Sequence, residues 1–300
     1  PALEATARLL QSEEKHGEAA QVLERLLAIS DGAGATAVAI ALADEYDKLG
    51  DANQAVTALE RGLTFDERNE ELRKRLRTRY EAAESWQGLA GLLAGDADLV
   101  EAPREKLNLL RQAAQIHSRK LGDHVTAAEL LDKASHIVPG DRQVLLELCD
   151  EYSASGRGKQ AAEVLERIVE SYGGKRSKEL AEIHRRLADA YLADGEKQRA
   201  IEELDKAFRI EPGNVTVLKN LGQIALETDD LPRAQKMFRA LLLQRLDDSS
   251  PITKGEAFFN LGEVHRRLGE KTKAIQMYER ALQQDQSLQE AKDRLTELKA

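Results

Sequence analysis

Four stretches of this chain share one pattern of helix, turn and exit. They are residues 185–214, 219–243, 259–285 and 41–69, and each reads as an apolar-striped helix, a short Gly or Asp turn, a second helix opening near an Ala, and a polar exit. Ala188 and Gly222 are 34 residues apart, whereas Gly222 and Gly262 are 40 apart, which predicts a six-residue insertion around residues 247–254. Such a period constrains the fold more than any single motif does. One helical hairpin cannot bury its apolar faces alone, so neighbouring units must stack and share a continuous core.

The residue choices follow from that geometry. Two antiparallel helices joined by a tight turn approach closely, so small residues belong at their crossing. Ala43, Cys149, Ala188, Gly222 and Gly262 fill that role on first helices, and Ala55, Ala161, Ala200, Ala234 and Ala274 on second helices. Larger residues one turn apart, such as Leu187 with Tyr191 or Leu261 with His265, fill the space between. Strong helix formers dominate the composition and only 6 of 300 residues are Pro.

The unit at residues 181–214 carries His184, Leu187, Ala188, Tyr191, Gly195, Ala200, Leu204, Ala207 and Pro212. In this register the chain resembles the tetratricopeptide repeat family, whose unit also has 34 residues. The resemblance implies an all-α fold, a right-handed α-solenoid superhelix of stacked helix-turn-helix hairpins with a C-terminal capping helix. The expected organisation is a single array of eight units at about 1–35, 36–69, 70–103, 104–141, 142–180, 181–214, 215–254 and 255–288, with the capping helix at 288–300. The third unit departs most, with Arg77 where a small residue belongs and Leu89 in place of Ala. The fourth has one extra residue before Leu121-Gly122-Asp123.

Catalytic, cofactor and metal chemistry finds no foothold, so the expectation is a non-enzyme with no cofactor. Gly32-Ala33-Gly34 reads as a connector, without the strand and Lys-Ser/Thr setting of a phosphate loop. His117 and His124 lack the spacing of a metal pair, and His265 reads as packing. Cys149, the sole cysteine, falls at a helix crossing and reads as a small hydrophobe; it allows no intrachain disulfide and suits a reducing, cytoplasmic setting. Trp86 reads as packing at the opening of the third unit's second helix, with an interface role as the alternative. The net charge of -9 argues against nucleic acid as a partner. It is concentrated in residues 1–150, with 18 basic against 27 acidic side chains. No apolar run reaches the roughly 20 residues of a membrane span. Pro1 and the immediate helical pattern read as a piece of something longer.

The resemblance implies a concave wall built from first helices. The register nominates Glu182, Arg185, Arg186 and Asp189, then Thr216, Lys219, Asn220 and Gln223, then Glu256, Phe259, Asn260, Glu263 and Arg266. Asn220 and Asn260 share one slot, and an amide offers both a donor and an acceptor to a peptide bond. Arg185, Arg186, Lys219 and Arg266 suit carboxylates, and Phe259 is the one aromatic expected to lie open. The family's chaperone clamp is excluded, because Asp189 and Glu256 stand where it needs Asn and Lys. The acidic half suggests a weaker groove for a basic or amphipathic helix, with Asp44, Asp47, Glu71 and Glu81 mixed with Lys74 and Arg75. The expected function is a protein–protein scaffold or adaptor holding an extended or helical peptide segment. Alternatives are the substrate-selecting arm of a larger enzyme, and self-assembly through the repeat ends.

Overall fold

A computed structural model describes residues 2–299, and every regular element among them is helical. Cα packing divides the chain into two compact units, residues 1–144 and 145–300. The first holds α1 (Ala2–Ser12), α2 (His16–Ile29), α3 (Gly32–Lys48), α4 (Ala52–Phe65), α5 (Glu70–Ala82), α6 (Trp86–Leu99), α7 (Pro103–Ile116) and α8 (His124–Ile137). The division falls in the first turn of α9 (Arg142–Ala154). The second unit continues with α10 (Gly158–Ser171), α11 (Lys178–Ala193), α12 (Lys197–Ile210), α13 (Val215–Glu227), α14 (Leu231–Leu242), α15 (Lys254–Arg267), α16 (Lys271–Gln284) and α17 (Gln289–Lys299). Consecutive helices pair as hairpins, and within each unit the hairpins stack as a solenoid.

Among the described residues the eight hairpin turns share one device, and seven of them close identically. One residue takes a left-handed conformation: Gly50, Gly122, Gly156, Gly195 and Gly269 in five turns, and Glu14, Glu84 and Asp229 in the other three. The next N–H then reaches back to a carbonyl at the end of the first helix, as from Glu196 to Tyr191 and from Ser85 to Tyr80, each 2.8 Å. Glycine adopts this conformation without the Cβ penalty, which is why most turns use it. In the fourth hairpin the bond runs one residue further, from Asp123 to His117 at 2.9 Å. A π-helical turn, His117–Leu121, absorbs the extra residue there.

The crossing positions behave as their size requires. Ala43, Cys149 and Ala188 are fully buried, as are Ala55, Ala161, Ala200, Ala234 and Ala274. A Cβ added at Gly222 would come 2.9 Å from the Phe238 ring, and one at Gly262 2.6 Å from Tyr278. The third hairpin reverses the arrangement: Gly88 on the second helix makes room for Tyr80 on the first. Arg77 donates to Asp96 at 2.7 Å, and Arg73 pairs with the same carboxylate.

Tyrosine hydroxyls tie successive hairpins together. Tyr46 donates to Glu24 across α3 and α2 at 3.2 Å, Tyr80 to Glu60 across α5 and α4, and Tyr191 to Glu166 across α11 and α10. Burial, helped by these carboxylates, pushes the Tyr80 and Tyr191 hydroxyls well above the usual phenol range, so both stay proton donors.

The insertion lies between α14 and α15. Ile252 is buried there, and Thr253 with Glu256 forms a capping box that opens α15. The closing helix is present as α17, where Ala291 and Leu295 complete the core around Tyr278. One boundary differs from expectation. Gly32-Ala33-Gly34 is no free connector but the opening turn of α3, because Gly32 at φ 47° swings the extended Ser30-Asp31 directly into helix.

Candidate partner-binding wall

The nominated side chains lie on α11, α13 and α15 of the second unit, with Glu256 and Glu263 included. Many already pair with one another. Arg185 donates to Glu182 at 2.8 Å and also pairs with Asp189. Asn220 of α13 donates its side-chain N–H to Asp189 of α11 at 3.3 Å, and Arg186 reaches Asp150 of α9 and the Leu146 carbonyl. Burial raises the Asp189 carboxyl above its ordinary value, while Arg185 pulls it the other way. The wall is therefore a ladder in which successive first helices exchange hydrogen bonds.

The α15 end is more closed than its sequence suggests. Phe259 is half-buried, with its ring 5.7 Å from that of Tyr278, because the core against α16 and α17 takes it up. Glu263 is buried and accepts from the Tyr278 hydroxyl, from Arg266 at 2.8 Å and from Arg294 of α17 at 3.1 Å. Burial alone would raise its carboxyl, but the bonds from Arg266 and Tyr278 and the cationic neighbours hold it below the usual value. Glu256 is spent on the capping box. Thr216, Lys219 and Asn260 remain half-exposed, and Gln223 is exposed.

Two of the histidines pair with carboxylates from buried positions. His184 lies 2.6 Å from Glu203 with both buried, and His265 pairs with Glu270. Among the described residues no group of three or more His, Cys, Asp or Glu is arranged to hold a metal ion. Among the same residues no helix is long and apolar enough to cross a membrane. Cys149 is buried, 3.8 Å from the Ala161 carbonyl, and burial pushes its thiol up to about 12.

In the first unit three of the four acidic side chains expected to line a groove are already paired, and Glu81 is exposed. Asp44 and Glu71 both pair with Arg75, and Asp47 pairs with Arg79. What sequence reasoning missed lies beside them, a cavity of about 490 Å³ lined by Arg68, Arg73, Lys74 and Arg77. The available signal was a local run, five basic residues among the seven at positions 73–79, hidden by the acidic total of the surrounding half.

Comparison with known proteins places this geometry. Family profiles described as tetratricopeptide repeat match residues 37–69, 118–181, 181–224 and 214–287. A stretch of 166 residues is 24% identical to the human protein O-mannosyl-transferase TMTC1, covering 54% of this chain and 18% of that protein's length. Among solved structures, YrrB, described as a TPR protein with an unusual peptide-binding site, superposes with TM-score 0.50 at 16% identity over 65% of this chain and 97% of its own. The C-terminal part of a TPR repeat-containing protein from Cytophaga hutchinsonii covers 96% of this chain and 98% of its own, with TM-score 0.52 at 14% identity. The Naa15/Naa10 complex bound to HypK-THB matches with TM-score 0.62 at 15% identity over 97% of this chain and 43% of that chain.

Proposed function

The chain belongs to the tetratricopeptide repeat family, and from that premise we propose that it is a non-catalytic scaffold whose second unit holds an extended or helical segment of a partner protein along α11, α13 and α15. The observation that carries this reading is the amide pair Asn220 and Asn260, on equivalent turns of successive first helices. Both are half-exposed, and they are flanked by Lys219 and Gln223. Amides spaced by one repeat suit a peptide backbone, whose N–H and C=O recur whatever the side chains. Arg185, Arg186, Asp189 and Arg266 would frame the segment, and Phe259 and Glu263 would support the wall from its core side.

YrrB, with its peptide-binding site, supports this assignment as a structural relative. A second reading rests on TMTC1: the matched stretch is a minor part of a protein named as a transferase, so this array would be the substrate-selecting arm of a larger enzyme. We place the protein in the cytoplasm, a setting supported by its single buried and unpaired thiol.

The test is affinity capture with the 300-residue chain, followed by titration of the captured partner against Asn220→Ala/Asn260→Ala. The expected result is loss of affinity by about tenfold, since each buried hydrogen bond at an interface contributes about 0.5–1.5 kcal/mol. Unchanged affinity would move the contact away from this wall.

A further inference from the structure

The third hairpin departs from the others at its crossing. Arg77 stands at the slot that elsewhere holds Ala, Cys or Gly, and a guanidinium cannot enter a helix crossing without losing its hydration. It turns instead to Asp96 on α6, which also receives Arg73. Two cavities, of about 490 and 320 Å³, lie along α6 between α5 and α7, and both are lined by Arg77. Leu89, Leu93 and Asp96 recur at helical spacing on the α6 face beneath them.

This trough has two kinds of surface. Toward the start of α5 basic side chains outnumber acidic ones by four to three, with Arg68 and Lys74 exposed and in no ion pair among the described residues, beside the exposed Glu70 and Glu105. Arg77, with a side chain 40% exposed, directs one N–H to Asp96 and has further donors to offer. At the other end it is apolar, where Leu89 and Leu93 meet the half-exposed Trp86, and Lys120 lies 4.5 Å above the indole ring. Six basic side chains line the two cavities against four acidic ones, a local excess of positive charge in the acidic half of the chain.

We propose that this trough is a second docking site, distinct from the α11–α15 wall, that takes an acidic segment of a partner protein with an apolar side chain seated beside Trp86. The argument is charge complementarity. Carboxylates on the segment would meet Arg68, Lys74 and Arg77, and an aliphatic group would pack against the exposed edge of Trp86, above the buried Leu89 and Leu93. Lys120 would exchange its hold on the indole for a carboxylate. The 14 residues of α6 span about 21 Å at 1.5 Å each, the reach of about six extended residues.

Trp86 is the sole tryptophan, so its emission reports on this site directly. The probe is an acetylated and amidated peptide of about six alternating Glu and Leu residues, matching the reach above, titrated into the full 300-residue chain. The expected result is a saturable change in Trp86 emission that weakens as salt rises. Arg68→Glu and Lys74→Glu alter exposed positions, so each should fold normally by circular dichroism. Each should weaken the response about fivefold, as a partly exposed ion pair would. Asn220→Ala/Asn260→Ala should leave it unchanged, so a failure of the wall reading and a failure here are separable. Absence of a saturable change overturns the proposal. So does an equal response to the Lys/Leu counterpart, an equal response to inorganic phosphate (a bare anion site), or full affinity in both charge reversals.

Discussion

The Nδ1 nitrogen of His184 lies 2.6 Å from the Glu203 carboxylate, and both side chains are buried between α11 and α12. Burial on its own would raise the Glu203 carboxyl, but the hydrogen bonds from His184 and Lys206, with the Lys206 charge, hold it below the ordinary value. A carboxyl with a lowered folded-state pKa binds fewer protons folded than unfolded. Its stabilisation is therefore present above the unfolded value of about 4.3 and fades as pH falls through the folded one. Glu203→Gln should cost about 1–2 kcal/mol at neutral pH, and the gap to the parent should narrow below about pH 4. Urea unfolding at a series of pH values measures it, and a gap independent of pH would contradict the assignment.

The left-handed turns offer a paired test. Glu84 holds φ 52° in the third hairpin, where Gly195 holds φ 81° in the sixth. Glu84→Gly should raise stability by about 0.5–1 kcal/mol, the Cβ strain relieved less the added freedom of the unfolded chain. Gly195→Ala should lower it by about 1 kcal/mol. Thermal melts of the two variants should move in opposite directions.

Glycines inside helices divide by surroundings. A Cβ at Gly222 would meet Phe238 at 2.9 Å, so Gly222→Ala should destabilise by about 1–3 kcal/mol through overpacking. Gly91, exposed in the middle of α6, has nothing within 4 Å of the same added atom. Gly91→Ala should therefore stabilise by about 0.5–1 kcal/mol. Chemical denaturation of both variants checks the contrast.

Cys149 serves as an internal reporter. Burial pushes its thiol up to about 12, so at pH 8 the folded protein should react with an aromatic disulfide reagent only as fast as the surrounding helices open. In denaturant the same thiol should react at once, one equivalent per chain. Rapid labelling of the folded protein would mean that the α9–α10 crossing is looser than its packing indicates.

Much of the fold was legible because its determinants are local and repeat. Small residues one period apart mark the crossings, Gly marks most turns, and the spacing exposed both the insertion before α15 and the extra residue absorbed at His117–Leu121. The candidate wall was less legible, because a side chain's availability depends on the neighbouring hairpin. Asp44 with Arg75, Asp47 with Arg79, Asp150 with Arg186 and Asp189 with Asn220 are partners between 31 and 36 residues apart, and a search for complementary groups about one period apart would have found them. Phe259 read as open because its cover, Tyr278, belongs to the following helix. The Arg-lined cavity stayed hidden because a regional charge count averages away a short cationic run.

The segment between Leu243 and Thr253 bears on how the molecule tolerates change. It extends the exit of one hairpin while Asp230 and Glu270 on either side keep their usual bonds to Ala225 and His265. Length at an exit is thus decoupled from the turn inside a hairpin. The exposed Ser249 offers a splice point where a tag or reporter loop can be carried with little penalty, since each doubling of a flexible loop costs only about 0.6 kcal/mol.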